Sequence, residues 1–248
     1  MGTIMEKRML AVCSLVVILV AGCAEMQGQN LAGTVMNALS SAGGQGGVLD
    51  EATVASGLKE ALQVGSERAV ATTSRENGFW GNELIRIAMP EQLTGMAKTL
   101  RSIGLGSQVD AFEVGMNRAA EVAAAEAKPV LLDAVSQMTL PDAMGILRGG
   151  DTAATDYFRD KTSASLRQKF IPIIQEKMGQ VGLYSQYNQL LKAYSALPFV
   201  TKPAFDLDGY VADRGLDGLF AVLAQKEQDI RANPAARTTE LLKRVFSQ

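Results

Sequence analysis

Gly115, Ala119, Ala123 and Ala127 recur every fourth residue through the Ala-rich stretch 107–127. Side chains four apart share one face of an α-helix, so these four form a ridge of minimal side chains that lets a second helix approach closely. Helical spacing continues through the chain from Val48 onward. Val54, Leu58, Leu62, Gly65 and Ala69 keep one small or apolar face behind Asp50, a residue type suited to an N-cap. Pro90 is placed to open a helix that stops at Gly104, and residues 141–148 read as a short helix closed by Gly149-Gly150. Asp151 is placed to cap the next helix, which runs through Phe170, and Pro172 inside that periodicity predicts a kink or break. Residues 184–196 and 208–232 are long helices, and 235–246 is a terminal one. Residues 74–83 read as a loop. The fold class is therefore all-α: a single irregular bundle of eight or nine helices, with at most a short extended segment near residues 84–87.

The start of the chain has a different character. Lys7 and Arg8 precede an almost unbroken apolar run, residues 9–20. As a helix this run reaches about 18 Å, short of the ~30 Å hydrocarbon core of a bilayer. A basic start, a short apolar segment and small residues after it describe an export signal. Val20-Ala21-Gly22 leads directly into Cys23 and is similar to the bacterial lipobox, which implies cleavage before Cys23 and acylation of its thiol and new amine. An ordinary secretory signal with an incidental cysteine is the alternative. Each buried methylene contributes ~0.8 kcal/mol, so two or three acyl chains anchor stably where one does not. Ala24, by resemblance to lipoprotein sorting in Gram-negative cells, favours the outer membrane. Residues 1–22 are thus expected to be a lipoprotein signal peptide, 23–47 a lipidated cysteine with a flexible Gly-rich tether, and 48–248 the helical domain.

Composition then removes whole classes of chemistry. The 248 residues include no His and two Cys, with 24 Lys+Arg against 26 Asp+Glu. Without imidazole there is no Ser-His-Asp or Cys-His nucleophile and no His-ligated metal. Cys13 leaves with the signal and Cys23 is consumed by lipid, so the mature domain has neither disulfide nor thiolate site. A near-neutral balance lacks the basic footprint of a nucleic-acid binder. No cofactor and no metal are expected.

Several polar patterns remain as candidate sites. Glu113, Asn117 and Glu121 form a line at four-residue spacing with Arg118 beside it. Such a line can contact a ligand, satisfy itself as an internal network, or face solvent. Tyr184, Tyr187 and Tyr194, with Leu191, make one helical stripe from three of the five tyrosines. Tyr joins an apolar body to a polar tip, which suits either a half-wet groove for a glycan, peptide or lipid, or the edge of a core. Gly149-Gly150-Asp151 lacks the spacing and the Lys-Ser/Thr of a phosphate loop, and reads instead as a helix stop and a cap. Asp206, Asp208, Asp213 and Asp217 crowd together but fail the calcium-loop spacing; Asp208 as an N-cap explains most of them. The carboxylate pairs Glu113/Glu121 and Asp156/Asp160 offer acid–base groups, although one helix rarely supplies both walls of a cleft.

Met116-Asn117-Arg118-Ala119-Ala120-Glu121, Gly149-Gly150-Asp151-Thr152-Ala153-Ala154-Thr155, Tyr157-Phe158, Tyr187-Asn188 and Leu216-Asp217-Gly218-Leu219-Phe220 occur in this order and at these distances. Together they resemble the bacterial family catalogued as domain of unknown function 4197, over about residues 48–246. The resemblance implies a helical envelope protein and carries no activity or ligand. The chain is expected to be a non-catalytic protein of the periplasmic face, held to the membrane by its acyl chains and binding or scaffolding an envelope protein or glycan. A carrier or sensor of a small apolar or glycan ligand along the tyrosines, and a carboxylate-dependent hydrolase, are the alternatives.

Overall fold

The computed structural model describes residues 50–198 and 200–232. The lipobox with Cys23, the Gly-rich tether and the helix expected at 235–246 lie outside the described residues. Among the described residues there are eight helices and no strand: α1 (Glu51–Ser74), α2 (Glu91–Ser102), α3 (Gly106–Ala124), α4 (Ala127–Gln137), α5 (Leu140–Arg148), α6 (Ala153–Gln180), α7 (Leu183–Ser195) and α8 (Leu207–Ala232). None of them is long and apolar enough to cross a membrane.

The helix α3 is the axis of the bundle, packing against α1, α2, α4, α6, α7 and α8. Its buried residues include Val109, Phe112, Gly115, Met116, Ala119, Ala120, Ala123 and Ala124, which cover most of its circumference. A helix enclosed in this way can be surrounded closely only if many of its side chains are small. Three members of the ridge expected from the sequence do this: Ala119 and Ala123 have no exposed surface, and a Cβ on Gly115 would collide with Leu183 Cδ1 of α7; Ala127, also fully buried, belongs to α4. Ala123→Leu is expected to overpack the contact and lower stability by about 1–3 kcal/mol. The loss should appear as an earlier denaturant midpoint with an unchanged slope.

Helix ends follow local chemistry, with informative departures. Asp50 caps α1, its carboxylate accepting from the Thr53 amide at 2.9 Å and the Thr53 hydroxyl at 2.7 Å. Thr139 and Asp142 form a reciprocal capping box at the start of α5. The hydroxyl and then the amide of Thr53 hold Asp50 below the ordinary carboxylate range, and Thr139 does the same for Asp142. Each cap therefore supports the fold above the ordinary carboxylate pKa and loses its contribution as the pH falls through the lowered folded-state value.

The Ala-rich helix ends at Ala124 rather than Ala127. Pro129 has no N–H for the Ala125 carbonyl and would crowd it in a continuous helix. The chain turns at Ala125-Glu126, and Pro129 falls in the first turn of α4, where an N–H has no helical partner in any case. Pro172 does not break α6, which runs through it from Ala153 to Gln180. Both Pro172 and Gln168, whose carbonyl loses its bond, are on the exposed face, where water can replace it. Gly104 ends the Pro90 helix with a positive φ of 88° that other residues adopt poorly.

Candidate functional site

The polar line on α3 faces the connection between α1 and α2, residues 75–90. That connection is a series of tight turns: Gly78 N donates to Arg75 O at 2.9 Å, Gly81 N to Asn77 O at 3.0 Å, and Arg86 N to Asn82 O at 2.9 Å. Asn77 takes a positive φ of 62°, which Asn tolerates better than most residues. Phe79, Ile85 and Ile87 plunge from these turns into the core, at 0%, 6% and 1% exposure. Phe79 and Ile85 press on Gly218 of α8, where a Cβ would lie 2.5 Å from Phe79 Cε1. Residues 84–87 are a turn followed by irregular backbone.

A buried, irregular segment leaves backbone polar groups without ladder partners, and α3 supplies them. Asn117 has no exposed surface; its Oδ1 accepts from Ile87 N and its Nδ2 donates to Ile87 O, both at 2.8 Å. This pair of bonds stands in for the two that an adjacent strand would make. Asn117 Nδ2 also donates to Glu113 O at 2.8 Å. One turn on, Glu121 Oε1 accepts from Phe79 N at 3.1 Å and Trp80 N at 3.2 Å. Its second oxygen accepts from Arg118 Nη1 at 2.7 Å, and Arg118 Nη2 reaches Asn77 Oδ1 at 2.9 Å. Glu113 stands apart at the edge, its Oε1 3.6 Å from Arg101 Nη2. Thus Asn117, Arg118 and Glu121 meet around one loop, and Glu113 joins them only through its backbone.

The tyrosines of α7 lie on a second, separate surface. Tyr184 donates to Asp208 Oδ1 at 2.7 Å, and Gln175 Nε2 donates to Asp208 Oδ2 at 2.8 Å. Burial, then the hydrogen bond to Asp208, raises the Tyr184 phenol above its ordinary pKa. Tyr187 stacks on Phe112 with ring centres 5.6 Å apart and planes 19° from parallel, and burial raises its phenol too. Tyr194 is half-buried against the same core. The stripe packs inward on α3 and the start of α8, and the cleft between α7 and the first turn of α3 is lined by none of the three.

Two expected caps are reassigned. Asp151 is exposed and Thr152 occupies the cap position of α6, its hydroxyl donating to Asp156 Oδ2 at 3.2 Å and capping no backbone N–H. The α6 N-terminus is instead held by Glu227 of α8, which accepts from Ala154 N, Thr155 N and Thr155 Oγ1, each at 2.9 Å. Arg231 donates to Glu227 Oε1 from Nη2 at 3.0 Å and bridges to Ile146 O at 2.9 Å, tying in the last turn of α5. An internal carboxylate thus occupies the place where a bound anion would sit. Glu227 was missed because the loop before α6 looked sufficient. The signal was present: Leu216, Phe220, Leu223, Glu227 and Ile230 fall on one helical stripe, and a Glu in an apolar stripe demands a buried partner. Likewise α8 is capped by Asp206, whose Oδ1 accepts from Gly209 N at 3.0 Å, rather than by Asp208.

The acidic cluster is dispersed among partners: Asp213 Oδ1 is 2.7 Å from Arg167 Nε, and Asp217 Oδ1 is 3.3 Å from Arg159 Nη1. Among the described residues no three His, Cys, Asp or Glu side chains converge as metal ligands. Asp156 and Asp160 are both exposed on the outer face of α6.

No curated protein and no solved structure matches this chain. The family model described as "Protein of unknown function (DUF4197)" matches residues 48–247, from the start of the helical region nearly to the end of the chain. The chain therefore belongs to the DUF4197 family.

Proposed function

We propose that this protein is a lipid-anchored, non-catalytic module of the bacterial cell envelope, held by acyl chains on Cys23 at the periplasmic face of the outer membrane, where its helical domain binds another envelope component. The observation that carries the non-catalytic part is the commitment of Glu121. Both its oxygens accept hydrogen bonds from the protein's own loop and Arg118, so Glu113 and Glu121 do not face each other across a cleft as acid and base. Asp156 and Asp160 share one helix face that is exposed among the described residues. The anchor is supported by the run of residues 9–20 and by Val20-Ala21-Gly22-Cys23. A tether rich in Gly then gives the domain reach from the bilayer surface.

Cys23→Ser is expected to abolish incorporation of labelled fatty acid in growing cells and to leave the longer precursor uncleaved. Continued labelling of the variant would overturn the anchor. Turnover of a glycan substrate by the purified chain, lost in Glu113→Gln or Asp156→Asn, would overturn the non-catalytic reading.

A further inference from the structure

Asn77-Gly78 is the single Asn-Gly pair in the chain. Packing imposes the glycine: a Cβ at 78 would collide with the carbonyl oxygens of Thr72 and Thr73 in the last turn of α1. Asn suits the positive φ of 62° at the position before it. The turn therefore calls for the pair in which asparagine is chemically weakest. With no side chain on the following residue, its backbone nitrogen can swing freely toward the Asn Cγ. In the seated loop the reacting groups are engaged elsewhere. Gly78 is buried, and its N–H donates to Arg75 O at 2.9 Å, which opposes loss of the proton that must leave before the nitrogen attacks. Asn77 Oδ1 accepts from Arg118 Nη2 at 2.9 Å, and Asn77 O accepts from Gly81 N at 3.0 Å, so side chain and backbone are both held. The Asn77 side chain is at the surface, open to water.

We propose that Asn77 is a deamidation site gated by the loop: unreactive while Arg118 and Glu121 hold residues 77–80, and reactive when that segment opens. In the open loop Gly78 N gives its proton to solvent and bonds to Asn77 Cγ. The Cγ–Nδ2 bond breaks and the amide nitrogen leaves as ammonia, giving a succinimide. Water then adds to either ring carbonyl and opens the ring to aspartate or isoaspartate. Only water is consumed. The products differ in consequence. Aspartate keeps the backbone and turns a carboxylate to the Arg118 guanidinium. Isoaspartate inserts a methylene into the backbone before Gly78, where the packing has no room for a methyl group, so the loop cannot reseat on Glu121. Opening, otherwise reversible, becomes permanent. The inference goes beyond the binding reading above and needs none of it.

The test is incubation of the full chain in mildly alkaline buffer, in urea and under native conditions well below melting, with residue 77 followed by peptide mapping for amide-to-acid conversion. Isoaspartate-specific methylation separates the two products. The denatured chain is expected to convert at residue 77 about a hundredfold faster than the native one, because the native rate is scaled by the small open fraction of the loop. Glu121→Ala, which frees the Phe79 and Trp80 amides, should raise the native rate about tenfold or more. Glu227→Ala, which loosens the start of α6 instead, should leave it unchanged. In the purified isoaspartate form the Phe79 amide should exchange as fast as an exposed turn amide. No conversion in the denatured chain would remove the site, and native conversion as fast as denatured would remove the gate. Equal acceleration by the two variants would place the gate in global unfolding rather than in the loop. A protected Phe79 amide in the isoaspartate form would overturn the permanent opening.

Discussion

Glu227→Ala is expected to destabilise the domain by about 3–5 kcal/mol, the cost of removing one partner from a buried, hydrogen-bonded ion pair. The change strands two backbone N–H groups and a hydroxyl at the start of α6 and removes the Glu227 carboxylate from its contact with the largely buried Arg231. For a domain of this size that corresponds to a fall in Tm of about 6–20 °C. Asp151→Ala supplies the contrast. Asp151 is exposed and makes no cap, so its removal should stay within about 0.5 kcal/mol. Thermal denaturation of the two variants side by side decides which carboxylate holds α6. Equal, small effects would contradict the cap made by α8.

Glu121→Ala is expected to cost about 3 kcal/mol and to lower Tm by about 6–12 °C. The loss has two parts. The buried amide of Phe79 and the part-buried amide of Trp80 lose their acceptor, and Arg118 keeps its contacts with Asn77 and Glu76. The Glu76 pair is exposed and contributes little. Glu121→Gln separates the parts. Its carbonyl can still accept from Phe79 and Trp80, but its amide would present a donor to the Arg118 guanidinium. A loss near half that of the alanine variant is therefore expected. A fully conserved Tm in Glu121→Ala would mean that the loop does not depend on α3.

Most of the helical frame was legible because amphipathic periodicity is a local property. The α1 cap at Asp50, the start at Pro90, the stop at Gly104 and the small-residue ridge on α3 all follow from neighbours within a few positions. The failures have a common cause. Pro172 lies on the exposed face of a helix, where solvent removes most of the cost of the lost bond, and only tertiary placement reveals that. Asp151 and Asp208 looked like caps because they were nearest in sequence. The caps in the fold are Glu227, which approaches from far along the chain, and Asp206, which is two residues earlier. The polar line Glu113–Asn117–Glu121 was visible as a pattern, but its partner was not. Periodicity can show that three side chains share a face; it cannot show that the face meets Phe79, Trp80 and Ile87. Those loop residues carried one weak signal, the apolar Phe79, Ile85 and Ile87 in a connection that the sequence reads as a loop over residues 74–83. For Tyr184 and Tyr187 the stripe was correct, and the direction it faces depended on Phe112 and Asp208 from other helices.

The polar side chains of α3 hold the segment between α1 and α2. Native-state hydrogen exchange at the amides of Phe79, Trp80 and Ile87 tests this most directly, because each donates to a side chain of α3. Protection of the three amides comparable to that of Phe112 and Met116 within α3 is the predicted result. Exchange as fast as at an exposed turn amide such as Glu83 would contradict it, and would return Asn117 and Glu121 to the pool of groups free to meet a ligand.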